Sequence, residues 1–194
     1  MTLLTIAAFL ALAAASHADE TVAAKATSGR FQITQEYHEY QGDKGDQGEF
    51  VETVRFADTT LPSVRLSGMP WPGNYHISPD EHWLLRTQKT GSGESIAMLY
   101  HIEENGRVSE VIGFDDLLWN VFDSNSPVRK KELYHNRVSE AAWADDSATL
   151  TIVLKGTEAS SPGDDIECPV IYNLKTNKAL LKPSSSKPDT KSPP

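Results

Sequence analysis

From residue 31 onward, apolar and polar positions mostly alternate, which is the period of a strand with one buried face. Phe31, Ile33 and Tyr37 alternate with polar residues, and Phe50, Val54 and Phe56 do so again after the glycine-rich stretch QGDKGDQGE at residues 41–49. Two strands about a polar turn predict a hairpin. One stretch keeps a different period. In FDDLLWNVF, Phe114, Leu117, Leu118, Val121 and Phe122 fall at i, i+3, i+4, i+7 and i+8, a helical spacing. Asp115 and Asp116 suit the start of that helix, where carboxylates meet free N–H groups. Trp119 lies off the stripe and is expected to be exposed on a short helix capping the sheet.

Two further segments read as copies of one unit. ISPDEHWLLRTQ, from Ile77, is followed by a Gly-Ser-Gly turn and SIAMLYHIEENGR; WADDSATLTIVLKG, from Trp143, is followed by a loop and ECPVIYNLKTNKA. Ile77 matches Trp143 and Asp80 matches Asp146; Leu99 to Asn105 then matches Ile171 to Asn177 after a longer loop. Each copy is a tight turn, a strand, a loop, a second strand and an Asn-containing turn. By the two-residue period Ile96, Met98, Tyr100 and Ile102 share a face, with Cys168, Val170, Tyr172 and Leu174 as counterparts. Cys168 therefore stands in an isoleucine's place on a core face.

The Ser78-Pro79-Asp80 turn before an apolar strand, with a following Leu-Tyr-x-Ile strand and an Asn-Gly turn, resembles blades of WD40-like, TolB-type β-propellers. The resemblance covers about two hairpins. It implies blade-like local structure and a binding habit, and carries no catalytic residue over. A closed propeller takes typically 4–8 blades, for which this chain is too short. The units are expected either as an open or two-layer arrangement, or as part of a ring completed by further chains. The expected fold class is mainly β: an antiparallel sheet of blade-like hairpin repeats with one short helix between them.

Outside this region the pattern changes. Residues 3–15 are uncharged and apolar apart from Thr5, and Ser16-His17-Ala18 follows with small residues at the two positions a signal peptidase reads. A run this short does not span a bilayer, which needs ~20 apolar residues. Residues 1–18 are read as a cleavable signal peptide, the alternative being a buried N-terminal helix. Residues 19–30 read as a flexible polar lead, 31–181 as a single β-rich domain, and 182–194, rich in Pro, Ser and Lys, as a disordered tail. Export places the protein in the periplasm or outside the cell.

The chain carries 27 acidic and 18 basic residues, a formal charge of −9. That balance argues against nucleic acid and anionic lipid, which are bound through clustered basic side chains. The single cysteine excludes an intramolecular disulfide.

Candidate chemistry is sparse. Gly93-Glu94-Ser95 loosely resembles a nucleophile elbow, but a strand follows where the elbow needs a helix. Asp43, Asp46 and Glu49 are a candidate calcium loop or a solvated acidic turn. His76 and His82 are close in sequence, yet pairing across a turn at residues 78–81 puts them on opposite faces, which disfavours a shared metal. Glu36 and His38 share a face, with Glu52 expected across the hairpin: a general-base pair or a polar surface. Trp71, between Pro70 and Pro72 in GMPWPGNY, is either a held platform for a sugar or partner side chain, or a plug over the sheet. Arg129-Lys130-Lys131 reads as a solvated run.

These readings lead to an exported, non-enzymatic protein that binds a protein or glycan, with Trp71, Trp119 and Tyr75 as binding residues and no metal, cofactor or membrane span. The alternatives are a small hydrolase assembled from distant residues such as Glu36, His38 and His101, and a self-assembling structural component, a homo-oligomer.

Overall fold

A computed structural model of the chain describes residues 20–43, 45–66, 68–159, 163 and 165–183. The proposed signal peptide and most of the Pro/Ser/Lys tail lie outside the described residues. The fold is mainly β, as the alternation predicts, and is built as three four-stranded antiparallel sheets. The first holds β1 (Thr21–Lys25), β2 (Phe31–Gly42), β3 (Gly45–Phe56) and β4 (Val64–Arg65) in chain order. The second holds β5 (Gly73–Ile77), β6 (Trp83–Gly91), β7 (Glu94–Ile102) and β8 (Val108–Glu110). The third holds β9 (Leu133–Trp143), β10 (Thr149–Glu158), β11 (Asp165–Asn173) and β12 (Lys178–Leu181). Helix α1 (Phe114–Asn125) links the second sheet to the third.

Alternation decides which residues share a face, and packing sorts the faces into two cores. Phe31, Ile33, Val54 and Phe56 of the first sheet meet Leu84, Tyr100 and Ile102 of the second. On the second sheet's other face, Leu85, Ala97 and Leu99 meet Leu150, Ile152, Leu154, Val170 and Tyr172 of the third. The second sheet is thus the middle layer. Cys168 sits in the latter core at 6% exposure, as its match to Ile96 predicts, and burial raises its thiol pKa.

The repeat is visible in the joints. β5 ends at Ile77 and β6 starts at Trp83, while β9 ends at Trp143 and β10 starts at Thr149, preserving the alignment read from sequence. In both joints a backbone N–H reaches back three residues, Glu81 to Ser78 and Ser147 to Ala144, and the closing residue has a left-handed φ, 60° and 55°. Residues 26–29 form the same joint: Gly29 bonds Ala26 at a φ of 80°. Residues 19–30, read as a polar lead, therefore contain strand β1 and a third copy of the turn. Glycine at the closing position takes the left-handed conformation without a Cβ penalty, so this copy has no Ser-Pro-Asp lettering to betray it.

The joint also departs from the expected register. His76 pairs with Leu85 and Ile77 with Leu84, so the connection is longer than a turn confined to residues 78–81 and His82 belongs to it. The first hairpin departs the other way. Its ladder runs through the glycine-rich stretch to Gly42 opposite Gly45, leaving a two-residue connection. Tyr37 explains one glycine: a Cβ at Gly48 would lie 2.1 Å from its hydroxyl oxygen.

Helix α1 stands in for a missing edge strand. β8 pairs only with residues 100–102 of β7. Further back on that edge, Leu99 O accepts from Val111 N–H, and Ala97 N–H donates to Asp115 Oδ1 at 2.9 Å. Asp115 thus ties the helix start to the sheet, and its other oxygen pairs with Lys130 at 3.1 Å. The buried stripe is Phe114, Leu118, Trp119 and Phe122, rotated from the expected one. Trp119 is 2% exposed, which corrects its placement at the surface. Its ring packs on Phe122 at 5.2 Å and under the Lys130 ammonium at 5.0 Å, so the wedge between helix and basic run takes up the indole. Lys130 is correspondingly engaged rather than part of a solvated run.

Candidate functional site

The three repeated turns touch in series, the middle one meeting each of the others. Ser28 N–H donates to Glu81 Oε1 at 2.7 Å, and Asp80 N–H donates to Ser147 Oγ at 2.9 Å. Strand reversal then sends the hairpin turns of β2–β3 and β6–β7, and the segment entering β5, to the opposite end of the stack. That end carries the Trp71 loop.

The loop is held from beneath by a polar cluster between the first and second sheets. Glu52 and Arg86 form an ion pair in which both side chains are 0% exposed. Glu52 Oε1 also accepts from Gly73 N–H at 2.7 Å and from Gln35 Nε2 at 2.8 Å. Gln88, itself buried, donates Nε2 to Trp71 O at 2.8 Å. Gly73 is required by this approach: a Cβ there would lie 2.9 Å from Arg86 Nε and 3.0 Å from Glu52 Oε1. Tyr75 is half-buried in the same layer. Burial first, then the adjacent Glu52 carboxylate, pushes its phenol far above the ordinary range, so it stays neutral. A carboxylate closed off by Arg86, Gly73 and Gln35 is not placed to act as a general base.

Above the cluster Trp71 is 36% exposed, and the Lys89 ammonium lies 5.3 Å from its ring centroid. A cation over an indole face is attracted by the ring's quadrupole. Lys89 has no ion-pair partner among the described residues, and it lines an open cleft of about 270 Å³ with Asn74, Thr87, Glu94, Ser95 and Arg137. Ser95 fixes one wall by accepting Val138 N–H at 3.0 Å, and Arg137 is steadied by Asp165 at 3.4 Å. The neighbouring Gly93 turn, at a φ of 76°, packs against the His135 ring, which leaves no space for a side chain there. The cleft therefore offers the Lys89 ammonium, the Arg137 guanidinium, the Glu94 carboxylate and hydroxyl or amide groups from the strands, and Lys89 connects it to the Trp71 ring beside it.

A larger groove, about 590 Å³, runs between α1 and β12 along Leu117, Val121, Leu180 and Leu181. Two of its helix-borne polar groups are spent on the helix itself, Ser124 Oγ on Asn120 O and Asn125 Nδ2 on Val121 O, which leaves the Asn120 amide. It has less to orient a ligand with.

The structure does not bring Trp71, Tyr75 and Trp119 into one site. Trp71 stands at the cleft, Tyr75 points into the layer beneath it, and Trp119 is buried under α1. Glu36 and His38 do meet, at 3.3 Å, on the outward face of the first sheet. Glu52 pairs with Gln35, one position out of step, and so points into the core instead of across from them. His101 stacks on Trp83, 4.6 Å between centroids, on the second sheet's far face. The three residues of the hydrolase alternative do not converge. Ser95 lies within a hairpin strand. Asp46 and Glu49 alternate to opposite faces, Asp46 bound by Gln41 and Glu49 paired with Arg65 at 2.9 Å. Among the described residues no group of three or more His, Cys, Asp or Glu side chains is placed to hold a metal, and no helix is long and apolar enough to cross a membrane.

Sequence reasoning missed Lys89, Arg137 and the Glu52–Arg86 pair. One signal was present. Arg86 and Gln88 share parity with Leu84 in WLLRTQ, so they lie on the apolar face opposite Met98 and Ile96, where a charge demands a buried partner. No known family's sequence model matches the chain, and no curated protein is significantly similar to it.

Proposed function

We propose that the protein is an exported, non-enzymatic binding module of the cell envelope, in the periplasm or outside the cell, that recognises a glycan or a segment of another protein with the Trp71 end of its stack. The observation that carries this reading is the Trp71–Lys89 pair at the rim of a cleft, held by Gln88 and Gly73 from a buried polar layer. An indole gives a flat apolar surface for a sugar ring or an apolar side chain, and an exposed ammonium beside it selects an electron-rich or negatively charged group. Rigid support means that little ordering entropy is lost on binding. The export signal and the resemblance of the repeats to propeller blades support the same reading, since blade ends are commonly binding surfaces.

The test is capture of ligands from an envelope extract of the source cells, and from an array of defined glycans, by the immobilised chain. A specific ligand whose capture falls about tenfold or more in Trp71→Ala and Lys89→Ala, with the unfolding midpoint unchanged, is expected. A ligand retained equally by both variants would move the site elsewhere, and absence of any specific ligand would refute the binding reading.

A further inference from the structure

The turn-to-turn hydrogen bonds form a series with a direction. In each contact the third residue of one turn gives its N–H to the side chain of the fourth residue in the next: Ser28 to Glu81, then Asp80 to Ser147. The fourth residue of the first turn is Gly29, which has no side chain to receive a bond from a sheet placed before it. The first sheet is closed off in a second way. Its outward face carries the ion pairs Arg55–Glu20 and Arg65–Glu49 and the His38–Glu36 contact, with Val22 and Tyr40 exposed among them. A polar outer face is what a terminal repeat of a stack needs.

The third sheet ends differently. Its register sets Ala142, Thr151, Ile171 and Leu180 in one row across all four strands, on the face turned away from the core. Glu140, Val153 and Pro169 make the next row, and Arg137, Lys155 and Glu167 the one after, where Lys155 lies 3.0 Å from Glu167 and 3.1 Å from Asp165. Leu180 is 66% exposed.

We propose that this face is where two copies of the chain meet, about a two-fold axis running along the strands between β10 and β11. Such an axis keeps each row level and exchanges the two central strands. Lys155 of one copy then lies over Glu167 of the other, and Glu167 over Lys155, so both cross-copy meetings are between opposite charges. Val153 lies over Pro169, Thr151 over Ile171 and Ala142 over Leu180, so the apolar positions of these rows are covered, with Glu140 at the edge of the Val153 row. A head-to-tail stack fails both conditions: it presses Ile171 and Leu180 onto the charged outer face of the first sheet and meets Gly29 where an acceptor is needed. A two-fold interface is self-complementary and closed. The face is roughly 19 Å wide, four strands ~4.8 Å apart, small for a stable interface, so the dimer dissociates on dilution.

Sedimentation equilibrium on the purified chain, from about 1 to about 200 μM, tests this. A reversible monomer–dimer equilibrium is expected, weakened about tenfold or more by Ile171→Lys and by Lys155→Glu. Lys155→Glu combined with Glu167→Lys re-forms the 155–167 pair within each sheet and both cross-copy pairs, losing only the Lys155–Asp165 pair, so it dimerises better than Lys155→Glu alone even if Ile171→Lys fails to fold. A chain that stays monomeric throughout, a folded Ile171→Lys variant that dimerises like the parent, or a double variant no better than Lys155→Glu overturns the proposal.

Discussion

Replacing Arg86 by Met tests how dry the layer beneath Trp71 is. Both partners of the Glu52–Arg86 pair are 0% exposed. Methionine keeps most of the arginine's length, so the substitution removes charge more than volume. It leaves the Glu52 carboxylate in the interior with two neutral donors, Gly73 N–H and Gln35 Nε2. Breaking a buried pair this way costs about 3–5 kcal/mol, because the stranded charge loses its counter-charge and has no water. A domain of this kind has a total stability of only about 5–15 kcal/mol. Adding Glu52→Gln removes the stranded charge while its amide oxygen still accepts from Gly73 and Gln35, so the double variant should lie within about 1–2 kcal/mol of the parent.

Urea unfolding followed by tryptophan fluorescence separates these cases. With a slope of about 2 kcal/mol per molar urea, Arg86→Met should lower the midpoint by roughly 2 M, and the double variant by less than about 1 M. A single variant that moves the midpoint by under about 0.5 M, or a double variant no more stable than the single, would show that water already reaches the pair and would refute the argument.

Other consequences follow from the turns and the loop. Burial opposes the charged form of Glu81, but hydrogen bonds from Ser28 and the nearby Arg30 outweigh it and hold its carboxyl below the ordinary value of 4.5. A depressed folded value contributes stability above the unfolded value and loses it as pH falls through the folded one, so stability should drop below about pH 4.5. Melting temperatures from pH ~6 to ~3 should show this drop flattened in Glu81→Gln, and an unchanged slope would exclude Glu81 as a contributor. Ser147→Ala removes the acceptor for Asp80 N–H at 2.9 Å and should cost about 1–2 kcal/mol in urea unfolding. Ser147→Asn, which keeps an acceptor and tolerates the left-handed φ of 55°, should stay close to the parent; equal losses in both would deny the turn-to-turn bond any weight. Gly73→Ala places a Cβ 2.9 Å from Arg86 Nε and should cost about 1–3 kcal/mol by overpacking. It should also shift Trp71 emission, and a stable variant with unchanged emission would show that Gly73 does not set the loop.

Much of the architecture follows from local pattern. Two-residue alternation places the strands, the i, i+3, i+4 spacing places α1, and the matched joints at Ile77–Trp83 and Trp143–Thr149 follow from one turn chemistry repeated in the sequence. These are near-neighbour properties, set by the backbone and by which side chains share a face. The third copy at residues 26–29 escaped because glycine satisfies the left-handed position without the residues that mark the other two.

What only the tertiary structure decided is which face meets which. Alternation puts Glu52 on one side of β3 and Arg86 on one side of β6, but their pairing exists only because those two sides close on each other and exclude water. Trp119 shows the same limit: its helical spacing points it away from the stripe, yet the gap above Phe122 and beneath Lys130 is large enough to bury it. Trp71 meets Lys89 because the loop between β4 and β5 is drawn down by Gln88 and Gly73, residues whose role depends on a buried charge pair formed between two sheets. Contacts between distant segments depend on shape and desolvation at the place where faces meet, and no local period records those.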